Sequence, residues 1–331
     1  MAKVFSLIQQ IPGGGVIPIQ PPVGEDWEVT DLGSSFIVGA ATAGVPSIVA
    51  GIFNAAIGVN GSMRFSSLAT PHVRGWANPG KWYINNANYL QIINPEIAAL
   101  NLTATVRRAR IYPPTETSNV ISGTETLIAT GVSTIRPPVG EDWVITDIGS
   151  SRWVGAQPNG LPNVEVRLTN GISPALVMSG ANARGWFKPL EMYLNRNIWL
   201  TLTNPAGAGA TVSWSGQKIK KYAPTGFSSV VSQVAILGGG GIAPIRPPVG
   251  YEMKVTEIGC SVWIGVPPAN LPSITVSITN GAIASIVQRA ADNKGWVGDM
   301  AYYLSRGVYM TITDAGAGSN IGVSAHIWKD N

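Results

Sequence analysis

Apolar and polar residues alternate along several short stretches of this chain, and the alternation returns at a spacing of about 110 residues. Leu90 and Ile92 face one side of a period-two segment while Tyr89 and Gln91 face the other. Leu200 and Leu202 oppose Trp199 and Thr201 in the same way, and Met310 and Ile312 oppose Tyr309 and Thr311. Further strands are predicted over Trp27 to Gly33, Trp143 to Gly149 and Met253 to Gly259. Val4-Phe5-Ser6, Val120-Ile121-Ser122 and Val230-Val231-Ser232 form a short opening strand, and Ile37-Val38, Trp153-Val154 and Trp263-Ile264 a separate fourth element. Tandem prolines at Pro21-Pro22, Pro137-Pro138 and Pro247-Pro248 cannot donate ladder bonds, so they mark connectors that end in turns at Gly24, Gly140 and Gly250. Asn170-Gly171 and Asn280-Gly281 are hairpin-turn signals. No segment carries a helical stripe.

The stretches belong to one text written three times. Pro21-Pro22-Val23-Gly24-Glu25-Asp26-Trp27 returns as Pro137-Pro138-Val139-Gly140-Glu141-Asp142-Trp143 and, altered, as Pro247-Pro248-Val249-Gly250-Tyr251-Glu252-Met253. Asn94-Pro95, Asn204-Pro205 and Asp314-Ala315 keep the same register. Copies this long are domains rather than solenoid units. The pattern predicts an all-β chain of three tandem homologous antiparallel β-sandwich domains, jelly-roll or immunoglobulin-like, over residues 1–112, 113–222 and 223–331. The connectors Tyr112-Pro113-Pro114-Thr115 and Tyr222-Ala223-Pro224-Thr225 are brief and proline-bearing, which predicts sandwiches held in fixed relation.

Charged residues make up only 12% of the 331, and the net charge is +4, so a nucleic-acid partner has little support. The single cysteine, Cys260, excludes an internal disulfide framework and a cysteine-rich zinc site. Met1 to Gln10 lack the basic start and apolar core of a secretory signal, so synthesis in a cytoplasm is expected. Phe36 to Val59 are uncharged. The matching segments of the other copies alternate as a strand does, which argues against a membrane span.

Catalytic groups are hard to assemble. His72 and His326 occupy unrelated copy positions and are expected at the surface or at sheet ends. Glu25-Asp26 and Glu141-Asp142 are adjacent on predicted strands, so their carboxylates point to opposite faces and would not converge on one bond. Asp31, Asp147 and Glu257 recur, and they are expected to cap backbone amides in a turn rather than hold calcium. No catalytic residue, cofactor or metal is expected.

Two sets of residues are better candidates for recognition. Arg74-Gly75-Trp76, Arg184-Gly185-Trp186 and Lys294-Gly295-Trp296 place a tryptophan after a basic residue and a glycine in every copy. Each is either a plug for one end of its sandwich or a platform for a sugar or partner. The second set is a difference between copies. Outward positions on the alternating strand are Glu165, Arg167 and Thr169 in copy 2 and Thr275, Ser277 and Thr279 in copy 3, but Val49, Gly51 and Phe53 in copy 1. An apolar outer face implies a cover. Copy 1 also has a longer segment around Met63 and Arg64, so Val49, Gly51, Phe53, Met63 and Arg64 form a candidate docking surface.

In whole-chain character the sequence resembles tailed-bacteriophage virion structural proteins of the capsid decoration or cement type: tandem β-sandwiches, low charge, Gly/Pro/Asn-rich turns and almost no cysteine or histidine. The resemblance implies a non-enzymatic protein made in the host cytoplasm and located in the virion. It also implies a partner in the major capsid protein or another virion protein, with self-association possible and neither nucleic acid nor membrane involved. The alternative is a carbohydrate- or receptor-binding fibre or lectin-like protein that uses the repeated tryptophan loops and takes a glycan as ligand.

Overall fold

A computed structural model of the chain describes residues 4–34, 37–38, 47–54, 59–63, 76–77, 82–113, 116–154, 163–172, 174–176, 184–187, 191–205, 209–223, 228–264, 273–286, 294–297, 301–314, 316 and 318–329. All regular elements among them are β-strands. No helix among them is long and apolar enough to cross a membrane.

Each copy builds two sheets. The first runs opening, closing, central, edge. In copy 1 these strands are Val4–Ile11, Leu100–Ile111, Glu25–Ser34 and Trp82–Ile84. In copy 2 they are Gly123–Leu127, Ala210–Lys221, Glu141–Val154 and Met192–Leu194; in copy 3 they are Gln233–Leu237, Ser319–Lys329, Tyr251–Ile264 and Tyr302–Leu304. The second sheet of copy 1 runs Val16–Ile19, Asn88–Ile93, Ser47–Asn54, Val59–Met63, and the other copies match it. With Ile37–Val38 and the short strands Trp76–Ala77, Arg184–Phe187 and Lys294–Val297 set aside, the remaining eight strands of each copy, numbered along the chain, order as 1-8-3-6 and 2-7-4-5. Successive strands therefore cross between sheets everywhere except the 4–5 hairpin. That order is a jelly roll, two interlocked Greek keys, and it decides between the two sandwich topologies that the sequence left open.

The alternating residues face where the pattern put them. Leu90, Ile92, Leu200, Leu202, Met310 and Ile312 are all buried. They belong to three core clusters, one per copy, so each copy closes over its own apolar interior. All the β-ladders among the described residues join strands of the same copy. Cys260 is buried in the copy 3 core, where burial pushes its thiol up to about 12 and leaves it inert.

Three expectations about elements are corrected. Trp153-Val154 and Trp263-Ile264 are not separate strands but the far ends of the central strands Glu141–Val154 and Tyr251–Ile264. Those ends leave the first sheet and pair in parallel with Asn163 and Val164, or with Ser273 and Ile274, so one strand stitches both sheets together. The opening strands of copies 2 and 3 begin only at Gly123 and Gln233, while Val120 and Val230 make isolated bridges to Gln217 and His326. Asp31, Asp147 and Glu257 lie within central strands, not in turns. Beside each, the register with the closing strand slips by one residue, and Thr30, Thr146 or Thr256 is the extra residue. Thr146 Oγ1 donates to the Ser215 carbonyl at 3.2 Å, across the gap that the bulge opens, whereas Thr30 and Thr256 give their single hydroxyl proton to nearer acceptors, Asp31 Oδ2 at 2.9 Å and the Glu191 carbonyl at 2.7 Å.

The proline turns also anchor the exits of copies 1 and 2. Gly24 and Gly140 have φ of 86° and 83°, and their carbonyls accept from the N–H of Tyr112 and Tyr222, both at 2.8 Å. A Cβ on Gly140 would stand 2.5 Å from the Tyr222 carbonyl oxygen, whereas one on Gly250 (φ 75°) would meet nothing within 4 Å. Gly140→Ala is therefore expected to cost about 1–3 kcal/mol, from left-handed strain plus displacement of the linker. Gly250→Ala pays the strain alone, about 1–2 kcal/mol. Chemical denaturation of the two variants should rank them in that order.

Candidate protein interface

Outside the cores, the described residues build a joint between successive copies, and it is built twice to one plan. The edge strand of a jelly roll leaves backbone N–H and C=O groups without a ladder partner. In copy 1 that strand is Trp82–Ile84, and its open side lies on the outer face of the first sheet of copy 2. Tyr83 N donates to Ser215 Oγ at 2.8 Å, and the Tyr83 carbonyl accepts from Ser122 Oγ at 2.6 Å and Ser215 Oγ at 3.0 Å. Between copies 2 and 3, Tyr193 N donates to Ser324 Oγ at 2.9 Å and the Tyr193 carbonyl accepts from Ser232 Oγ at 2.8 Å. Two serines on the face thus finish the hydrogen bonds of one edge residue. Serine suits the place because a hydroxyl both donates and accepts while its short stem lets backbone approach sheet.

A carboxylate clamps each linker beside this contact. Asp26 accepts from Ser118 Oγ at 2.6 Å and Asn119 N at 3.0 Å; Asp142 accepts from Ser228 Oγ at 2.7 Å and Ser229 N at 2.7 Å. Asn85 and Asn195 each donate a side-chain N–H to the same serine hydroxyl at 2.9 Å. Burial is the main influence on the Asp26 carboxyl and pushes it above the usual carboxylate range, against the pull of its hydrogen bonds to Ser118 and Asn119 and the Arg110 charge. These are the acids that the sequence offered as catalytic pairs, and they do point apart. Asp26 and Asp142 are buried in the joints, while Glu25 and Glu141 accept from Trp27 Nε1 and Trp143 Nε1 at 2.7 and 2.8 Å.

Apolar contacts complete each joint. Val120 and Val230 are buried, and Val144, Tyr193 and Val230 form a small cluster that spans copies 2 and 3. Thr124 Oγ1 donates to the Ile52 carbonyl at 3.1 Å, and Val234 packs onto the copy 2 core. The second joint adds charge. Glu191 accepts from Lys254 Nζ at 2.7 and 2.8 Å and from the Tyr193 hydroxyl at 2.5 Å. Burial pushes the Tyr83 hydroxyl up to about 12 and that of Tyr193 up as well, so both stay neutral.

His326 is not the sheet-end residue that was expected. Its ring stacks on Tyr193 at 5.1 Å and lies 6.4 Å from Trp328. Burial in the joint lowers its pKa, opposed by Asp142 and Glu191 and assisted by Lys220 and Lys254.

The predicted recognition residues are only partly clear of the joint: the strands Ser47–Asn54 and Val59–Met63 lie against the first sheet of copy 2, where the Ile52 carbonyl meets Thr124. Gly51 is buried, and Phe53 is half-buried with its ring 5.2 Å from Tyr89 of the neighbouring strand. Part of the apolar outer face of copy 1 is therefore used within copy 1. The backbones of Val49 and Met63 lie in paired strands, at the ladders with Ile93 and Ala50. Trp76, Trp186 and Trp296 sit in short strands opposite Gly33, Gly149 and Gly259, with Arg184 and Lys294 opening two of those strands. The side chains of Val49, Met63, Trp76, Arg184, Trp186, Lys294 and Trp296 lie outside the described residues, as do Arg64, Arg74 and His72 altogether. Among the described residues no group of three or more His, Cys, Asp or Glu is placed to hold a metal ion.

No protein-family model matches the sequence, and no curated protein matches it. Among solved structures, the chain is similar to the major capsid protein P2 from bacteriophage PM2, with a TM-score of 0.31 and 14% identity over 64% of this chain and 99% of that one. It is also similar to a protein of an archaeal virus described by its triple jelly-roll fold and turret assembly, with a TM-score of 0.25 and 11% identity over 98% and 89%. A structure of Sulfolobus turreted icosahedral virus gives a TM-score of 0.24 and 11% identity over 100% and 91%.

Two outcomes are expected from the joint geometry. Ser324→Ala leaves the buried Tyr193 N–H without its acceptor and should cost about 1–3 kcal/mol, read as a loss of protection in amide exchange around Tyr193 and Val230. The second concerns pH. Because the folded pKa of His326 lies below its ordinary 6.5, the open joint binds more protons than the closed one below that pH. The stabilisation is complete above pH 6.5 and falls as acidification proceeds through 6.5 towards the folded value. His326→Gln, which installs the residue found at the matching copy 2 position, Gln217, should flatten this step in a melting-temperature profile.

Proposed function

We propose that the chain is a non-enzymatic virion structural protein that binds and stabilises a capsid surface in the manner of a decoration or cement protein, its three jelly rolls acting as one multivalent unit. The observation that carries this reading is the twice-built joint, which places like surfaces at fixed intervals. Val23, Val139 and Val249 at the proline turns are exposed in all three copies, and so are Val16, Val132 and Ile242 on the neighbouring strands. A file of equivalent apolar pairs suits a partner that is itself periodic, and its affinity sums many modest contacts. Jelly rolls serve as capsid and lectin modules, although the fold by itself does not set the function. Within the reading, residues 1–112, 113–222 and 223–331 are three units and the virion is the place of action.

The buried acids support it indirectly. Asp26 and Asp142 are committed to linkers, so the carboxylate pairs that a glycosidase would need are already engaged. On the outer face of the second sheet, the guanidinium of Arg136 covers the ring of Trp199 at 3.7 Å and that of Arg246 covers Tyr309 at 3.6 Å. A sugar would have to displace those cations, so within the glycan alternative the candidates are the loops of Trp76, Trp186 and Trp296.

Copy 1 is the proposed docking module, through Val49, Gly51, Phe53 and the segment that holds Met63 and Arg64. Purified protein mixed with emptied capsids and sedimented should saturate the shell at a fixed ratio. The double variant Val49→Asp, Phe53→Asp should reduce that binding at least tenfold while the circular dichroism of the β-sheets is retained. Binding to a glycan array through all three tryptophans, with no co-sedimentation, would instead establish the lectin reading.

A further inference from the structure

The plan of the joints runs off both ends of the molecule. Tyr83 and Tyr193, the edge residues covered by the next copy, are each 8% exposed, whereas the matching residue of copy 3, Tyr303, is 67% exposed. It occupies the same place on its edge strand, paired with Lys254 as Tyr193 is with Val144 and Tyr83 with Glu28. At the other end, the outer face of the first sheet of copy 1 carries the receiving half. Val4 corresponds to Val120 and Val230, which are 7% and 5% exposed, yet Val4 is 62% exposed. Ser6 corresponds to Ser122 and Ser232, is paired with Thr105 in the register that would set Ser122 opposite Ser215, and is also exposed. Ile8 corresponds to Thr124, which is buried in the first joint, and to Val234, which packs on the copy 2 core; it is 77% exposed.

We propose that these two ends are partners, so that a second copy of the chain lays the Tyr302–Leu304 edge of its copy 3 on the Val4, Ser6 and Ile8 face of copy 1. The interface continues the internal joint. The Tyr303 carbonyl takes the hydroxyl of Ser6, its N–H takes the hydroxyl of Thr105, and Val4 and Ile8 are removed from water. The parts of the joint that differ at the ends are those concerned with the covalent linker. The clamp pairs Asp26 with Asn85 and Asp142 with Asn195, but copy 3 has Glu252 and Ser305 there, and Ala2 stands where Ser118 and Ser228 supply the clamped hydroxyl. A joint without a linker needs no linker clamp, so both halves of that clamp are lost together while the edge-and-face contact is kept.

Charge does not oppose the pairing. Glu28, which takes the face position of Lys254, is already bonded to Arg107, and copy 3 presents Ala301 where Glu191 stands in the second joint. The contact uses different surfaces on the two molecules, so it is heterologous. It extends a file instead of closing a symmetric pair. The inference is independent of the capsid reading, since it concerns only how the chain meets itself.

Within the chain each joint is helped by a short linker, equivalent to roughly millimolar local concentration. The free contact is therefore sought by sedimentation velocity of the full chain up to about 1 mM. The expected result is a ladder of monomer, dimer and longer files that grows with concentration. Val4→Asp with Ile8→Asp should abolish association by disabling the face, and Tyr303→Asp should abolish it by disabling the edge. All three side chains are exposed, so melting temperatures should stay unchanged. Mixed together, the two variants each keep one good surface and should form dimers and nothing longer. A monomer throughout the range, association that survives either variant, or a mixture that fails to form dimers would each overturn the proposal.

Discussion

An open sheet edge must have its backbone groups satisfied, and the way this chain meets that demand governs how its copies relate. A jelly roll closes most of its surface but leaves the strand beside the central one with N–H and C=O groups pointing away from the sheet. Here the groups of Tyr83 and Tyr193 are taken by serine hydroxyls on the face of the following copy. Moving one copy against the next would strand these groups in a buried place, at a cost far above that of losing an exposed contact. The joint is therefore stiff for the reason that a β-ladder is stiff, although no ladder among the described residues joins the copies.

Several features that looked unrelated follow from that demand. The faces that receive an edge carry small hydroxyl residues, Ser122, Thr124 and Ser215 in copy 2 and Ser232 and Ser324 in copy 3, because bulk there would hold the edge away. The bulge at Thr146 and Thr256 is part of the same design. Thr256 Oγ1 donates to the Glu191 carbonyl at 2.7 Å across the joint, so the residue that the bulge re-aims becomes a contact. The detachment of Val120 and Val230 from their opening strands serves the joints as well, since both side chains are buried there. In copy 1 the corresponding strand runs unbroken from Val4 to Ile11.

The two joints are alike in backbone geometry and unlike in chemistry. The first sets the Glu28–Arg107 ion pair, both members from copy 1, beside Tyr83. The second sets Lys254, Glu191 and His326 around Tyr193 and so gains a response to pH that the first lacks at that position. Duplication fixed the shared hydrogen bonds, and divergence acted on the residues around them.

Period-two patterning, tandem prolines and Asn-Gly turns determined the strands, their inward faces and the three-fold repetition, because these depend on the local rule that neighbouring side chains on a strand point opposite ways. Leu90, Leu200 and Met310 needed no partner to be assigned to a core. The joints carried a signal too: Tyr83 and Tyr193, Ser122 and Ser232, and Ser215 and Ser324 recur at outward positions. An outward serine has the same sequence signature whether it meets water or a neighbouring sheet edge, however, so recurrence alone did not reveal a contact. The strand order that makes the sandwich a jelly roll, the run of the central strand through both sheets, the burial of Asp26 and Asp142 and the stacking of His326 on Tyr193 were settled only in three dimensions. They depend on which distant segments meet, and meeting is decided by how whole sheets satisfy one another's edges and faces, which no window of sequence contains.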